Sequence, residues 1–182
     1  QVQRVQVTHA PQKPMNKRSL EGRQIILVGG DDELREYFIE ELKNRNAKVA
    51  LLDSAVSVEQ AQSFMESVSG DKANDLVYLM DSKGVSTTQE LASRIKQIFG
   101  LSRAFGRVCE REKGPGLLLV GQSSGVFGFF DDSLAGTALG ALAGMAKSLA
   151  REWEGSFCRA FDLDACNPDL AGSVASTVDE WL

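Results

Sequence analysis

Histidine is almost missing from this sequence. The single imidazole, His9, stands just ahead of Pro11 and Pro14, and the 182 residues hold no other. This removes hydrolysis by a serine–histidine pair. "GQSSG" (Gly121–Gly125) spells G-x-S-x-G with Ser123 at its centre, but no histidine follows it to act as base. Cysteine is scarce too. Cys109, Cys158 and Cys166 form no Cys-x-x-Cys pair and cannot supply four convergent ligands for zinc, so no metal site is expected and the thiols read as free, in a reducing cytosol. Long apolar runs are lacking: "GLLLVG" falls far short of the ~20 residues that a bilayer-spanning helix needs. An excess of cations is lacking as well. A net charge of −5 argues against nucleic acid or an anionic membrane as partner. The opening "QVQRVQVTHA" is polar and alternating, unlike a signal peptide.

What is present is ordinary globular material, 43% hydrophobic and 25% charged, at a length that suits one domain. Residues 1–20 read as a leading strand (Val2–Thr8) and a Pro-rich linker, and 21–182 as the domain proper. Within it, apolar runs alternate with amphipathic stretches. Strands are expected at Arg23–Gly30, Ala47–Asp53, Asn74–Asp81, within Gly114–Gly125 and at Phe157–Asp164. Helices are expected at Asp31–Asn46, Ser57–Gly70, Ser86–Phe105, within Asp131–Trp153 and at Pro168–Leu182. Solid apolar strands separated by helices call for an α/β, doubly wound, mostly parallel Rossmann-like sheet of about five strands, with helices on both faces and the leading strand as an N-terminal extension. The chain begins with Gln and stops in the amphipathic "STVDEWL", which reads as a piece of a longer polypeptide.

Such folds hold a dinucleotide on a glycine-rich turn after the first strand. Here the turn is Gly29-Gly30-Asp31-Asp32-Glu33, in which neither G-x-G-x-x-G nor G-x-x-x-G-x-G can be written. Three carboxylates stand where phosphate charge would go. Each like-charge contact at ~4 Å costs about 1 kcal/mol in water and about 4 at an effective dielectric of 20, against ~0.3–1 kcal/mol from the helix dipole. Only Asp53, at the end of the second strand, keeps the position of a ribose ligand, or else faces water. No cofactor-binding residue is therefore assigned.

The reductase machinery is vacant in the same way. Ser123 and Ser124 follow the fourth strand, where a short-chain reductase places its serine, but they read as turn formers. The chemistry also needs a tyrosine with a lysine four residues on. Tyr37 and Tyr78 lie far upstream; Thr137 with Ala141, and Ala143 with Lys147, stand where the pair belongs. No catalytic residue is assigned. The Asp131–Asp132 pair reads as a helix cap. Gly136, Gly140 and Gly144 recur every fourth residue in one helix, at ~1 kcal/mol each relative to alanine, which points to a close backbone approach either to the sheet or to another domain or subunit.

"LAGMAKSLAREWEGSFCRAFDLD" (Leu142–Asp164) resembles the late helix and strand of ketoreductase regions in type I polyketide synthases, above all those like polyunsaturated fatty acid synthases, where the pattern is close to "LAGLxKTLAxEWPxVxCRAxDLD". "VQRVQVTHAPQKP" and "GRQIILVGGDD" fit the same family. The resemblance implies a short-chain dehydrogenase/reductase-like protein built from two Rossmann-like halves, of which this is the structural, non-catalytic one. It implies that NADPH and the catalytic residues sit in the adjoining catalytic subdomain, with none in this piece. That half reduces β-ketoacyl groups carried on acyl carrier protein, and the other synthase domains are further partners. The leading strand would pair across to the catalytic half, in a cytoplasmic multienzyme. Two other readings stay open: a stand-alone short-chain-type NAD(P)-dependent oxidoreductase with a degenerate site, and an interaction module that dimerises through Gly136–Gly144.

Overall fold

The structure, a computed structural model, describes residues 18–54, 56–68, 75–80, 85–109, 114–128 and 133–182. The strand and linker expected over 1–17, with His9, lie outside the described residues, as do Gly70, Asn74, Asp81 and the Asp131–Asp132 pair. The described elements run β1 (Gln24–Gly29), α1 (Asp32–Asn44), β2 (Lys48–Leu52), α2 (Val58–Val68), β3 (Asp75–Met80), α3 (Thr88–Val108), β4 (Gly116–Ser123), α4 (Leu134–Glu152), β5 (Phe157–Asp164) and α5 (Leu170–Trp181).

The strands form one sheet in the order β2-β1-β3-β4-β5, with every ladder parallel. Alternation within each strand sends side chains to opposite faces. Ile26, Val28, Leu76, Tyr78, Leu117 and Leu119 face a layer built from α2, α3 and α4. Ile25, Leu27, Val77, Leu79, Leu118 and Val120 face α1 and α5, whose Leu34, Phe38, Leu42, Val174, Val178 and Trp181 close that side. Both faces of β3 are covered, and all six of its residues are buried. This explains why its sequence is a continuous apolar run rather than an alternating one.

The usual dinucleotide-binding order is 3-2-1-4-5-6, with a further strand outside the second. Here β2 is an edge, and Leu51 on it is 50% exposed. Helix ends also shift from the expected positions. α1 stops at Asn44, because Asn46 takes a left-handed turn (φ 59°) that its short polar side chain tolerates. α3 runs three residues past Phe105, to Val108. Its start is set by a capping box in which Thr87 and Glu90 satisfy each other's backbone N–H groups.

At the N-terminal end of the sheet a charged knot ties the chain together. The Asp75 carboxylate is fully buried and accepts from Arg23 Nε at 2.6 Å, from the Gly116 N–H at 2.6 Å and from the Arg18 guanidinium. Arg18 lies over the rings of Phe157 and Trp181, at 4.9 and 4.7 Å from their centroids. Burial pushes its pKa down and Asp75 opposes that. The backbone N–H of Arg18 donates to the Leu182 carbonyl at 2.8 Å. No described helix is long and apolar enough to cross a membrane.

Candidate functional site

In a parallel sheet wound in both directions, a crevice opens where neighbouring strands send their helices to opposite faces. β1 and β3 are that pair: α1 covers one face and α3 the other. A cleft of about 320 Å³ opens at their C-terminal ends, lined by Gly29, Gly30, Ser54, Tyr78, Leu79, Arg94 and Gln97. The fold thus keeps its customary place for a ligand. What has changed is the chemistry of the floor and rim.

The glycine turn is closed down on β3. Gly29 and Gly30 both have φ of +77°, and a Cβ on Gly30 would lie 2.9 Å from Leu79 Cδ1. A Cβ on Gly29 would collide with the Leu79 carbonyl. The two glycines are there to let the chain pass over Leu79. The Gly30 N–H donates to that same carbonyl at 2.9 Å, so it is spent within the fold.

The N-terminus of α1 is capped by its own residues. Asp31 is the cap, accepting the Leu34 N–H at 2.9 Å. Asp32 pairs with Arg35, whose guanidinium also donates to the Gly30 carbonyl at 3.3 Å. In a phosphate-binding turn these N–H groups would point at the ligand. Here a fixed carboxylate holds one of them, and Asp32 and Glu33 lie exposed beside it. The residues present do not fit a dinucleotide pyrophosphate. Asp53 is exposed just past β2, on the side where the described residues add no further strand to the sheet.

The structure brings into the cleft side chains that sequence reasoning passed over. Tyr78 arrives from the middle of the sheet, although it is only 4% exposed and belongs mainly to the packed layer beneath α3. Arg94 and Gln97 are three apart on α3, so they project from one side of it towards the crevice. That spacing is present in "ASRIKQIF", but the sequence signal of this helix is its inner stripe of Leu91, Ile95, Ile98, Ser102 and Phe105.

Ser123 sits at the end of β4 with its hydroxyl donating to Asp162 on β5 at 2.8 Å. The Asp162 carboxylate also accepts the Ser123 N–H at 2.9 Å and the Phe127 N–H at 2.8 Å. One side chain therefore shapes the whole turn, and the serine is a donor within it. Ser124 makes an isolated antiparallel bridge to Asp164. Thr137 is exposed on α4 and its hydroxyl donates to the Ser133 carbonyl at 3.1 Å; Ala143 is half-buried and Lys147 exposed.

The three glycines of α4 part company. Gly136 is buried against the backbone of Gly128, whose own Cβ would lie 2.5 Å from the Gly136 carbonyl carbon. A Cβ on Gly140 would lie 3.6 Å from the Phe127 carbonyl oxygen, and one on Gly144 would meet no other element within 4 Å among the described residues. At Gly136 the close backbone approach is made to the turn before the helix, while α4 also packs on β4 and β5. Among the described residues no cluster of His, Cys, Asp and Glu could hold a metal ion. Burial pushes the Cys158 thiol above its ordinary pKa.

No family model matches the chain. No curated protein sequence matches it either. Solved structures do. A doubly substituted short-chain dehydrogenase/reductase of Serratia marcescens is 15% identical with a TM-score of 0.61, over 87% of this chain and 90% of the other. A short chain dehydrogenase from Mycobacterium smegmatis is 14% identical with a TM-score of 0.59, over 95% and 92%. The enoyl-acyl carrier protein reductase of Bacillus cereus, solved with NADP+ and an indole naphthyridinone, is 12% identical with a TM-score of 0.54, over 90% and 83%. At these identities the likeness is one of architecture: the chain carries the Rossmann-like α/β fold that these structures share.

Proposed function

We propose that this chain is the non-catalytic, structural half of a ketoreductase in a multi-domain polyketide or fatty acid synthase. It braces an adjoining, NADPH-dependent catalytic half that reduces β-ketoacyl groups on acyl carrier protein. The observation that carries the reading is the closed turn: the Gly30 N–H is spent on Leu79, and Asp31 caps the helix where a pyrophosphate would sit. A fold retained with its phosphate cradle sealed is what a supporting half requires, since its contribution is surface and rigidity. The sequence resemblance at Leu142–Asp164 supports the same assignment. The test is to produce the catalytic half with and without this chain. Joint production should raise the melting temperature and the reductase activity of the catalytic half. Equal stability and activity alone would overturn the proposal.

One observation favours a second reading, a stand-alone short-chain-type NAD(P)-dependent oxidoreductase with an atypical site. The crevice still measures about 320 Å³ and is lined by Tyr78, Arg94 and Gln97. Calorimetric titration with NADPH separates the two. Micromolar binding would favour the oxidoreductase, and no heat would favour the brace.

A further inference from the structure

The sheet divides the charge of the molecule. On one face, α1 and α5 together carry seven acidic residues and two basic ones. On the other, α3 and α4 carry six basic and two acidic, with two further acids on α2. Each face also has an apolar feature at its surface. Between α1 and α5 lies a groove of about 320 Å³, lined by Tyr37, Glu40, Glu41 and Asn44 on one side and by Ala171 and Ala175 on the other. On α3, Phe99 is 56% exposed. Nothing in the proposed brace function uses the groove or this ring.

The two features carry complementary patterns. Phe99 stands three residues after Lys96 and four before Arg103, so a cation lies one turn to either side of the ring. Tyr37 stands four residues after Glu33 and three before Glu40, so a carboxylate lies one turn to either side of its ring. Taken in opposite directions the two series coincide. At the helical rise of ~1.5 Å per residue, both set their charges roughly 4.5 and 6 Å along the axis from the aromatic residue. Glu33, Glu40, Lys96 and Arg103 are all exposed, and none is in an ion pair among the described residues. Glu41, the other carboxylate of the groove, is already paired with Arg45. We infer that the α1/α5 groove takes α3 of a second copy of this chain, laid antiparallel to α1. Phe99 then packs on Tyr37 and the alanines of α5, with Lys96 at Glu40 and Arg103 at Glu33. The aromatic pair supplies contact, and the opposite charges around it fix the register. Groove and ridge lie on opposite faces of one sheet, so the contact is heterologous. Copies associate head to tail and do not close into a symmetric dimer.

Sedimentation velocity of the full chain over a range of concentrations tests this. At low salt the weight-average sedimentation coefficient should climb without a plateau as concentration rises. At ~1 M salt, where the screening length is ~3 Å, it should fall towards the monomer value. Phe99→Ser, Glu33→Lys/Glu40→Lys and Lys96→Glu/Arg103→Glu, all at exposed positions, should each weaken association at least tenfold with circular dichroism unchanged. An equimolar mixture of the two charge-reversed variants should recover it, because each then finds its complement on the other. A chain monomeric at every concentration, a plateau at the dimer, association indifferent to these substitutions, or a mixture that stays monomeric would each overturn the inference.

Discussion

The backbone N–H of Gly30 donates to the carbonyl of Leu79 at 2.9 Å, tying the end of β1 to the end of β3 across the mouth of the crevice. That bond is possible because neither Gly29 nor Gly30 has a side chain. Gly30→Ala forces a left-handed φ on a residue with a Cβ and drives it into Leu79. It should cost about 2–5 kcal/mol in urea unfolding, the sum of the left-handed penalty and local overpacking. A loss below 0.5 kcal/mol would mean that the turn is not closed as described.

The glycines of the β4–α4 region should respond in opposite directions. Gly128→Ala meets the backbone of Gly136 at positive φ and should destabilise by more than about 2 kcal/mol. Gly144→Ala meets open space in a helix interior and should stabilise by about 0.5–1 kcal/mol. Thermal melts of the two variants check the contrast. If Gly144→Ala leaves stability unchanged and alters sedimentation, a second helix lies on that face.

Asp162 organises its turn by accepting three hydrogen bonds, so Asp162→Ala should cost about 2–3 kcal/mol and Ser123→Ala about 1. Neither should change reductase activity in a parent synthase assayed below its unfolding temperature. A Ser123→Ala variant of full stability and no activity would restore the serine to chemistry.

Cys158 is buried and Cys166 exposed. Burial raises the Cys158 pKa in the folded chain, with Ser156, Arg159 and Arg18 opposing. The unfolded thiol therefore loses its proton first as pH rises. The contribution is fully present below the unfolded thiol pKa, ~8.5, and stability declines as pH climbs from there through the higher folded value. Unfolding midpoints at pH 7.5 and 9.5 should differ in the wild type, and differ less in Cys158→Ala. In the native state Ellman's reagent should label Cys166 at once and Cys158 only on unfolding.

Most of the architecture could be read from the residues. The five strands and five helices announce themselves through solid apolar runs and 3.6-residue stripes; of the α3 stripe Leu91, Ile95, Ile98, Ser102 and Phe105, all are buried but Ile95, which is half-buried. The turn after β1 was half legible. Three acids after two glycines declare a hostile charge, but the bond that consumes the Gly30 N–H joins residues far apart in sequence and has no local signature. The same holds for Tyr78: nothing in "NDLVYLMD" tells a packed phenol from one at a crevice, because that depends on where β1 ends. The strand order was also beyond reach, since parallel crossovers leave open which strand forms the edge.

The hydrogen bond between Arg18 and Leu182 places both flanks of the folded unit at one corner, opposite the crevice. A pull applied to the two flanks together would load that corner and the Asp75 knot beneath it, leaving β1 to β5 without tension.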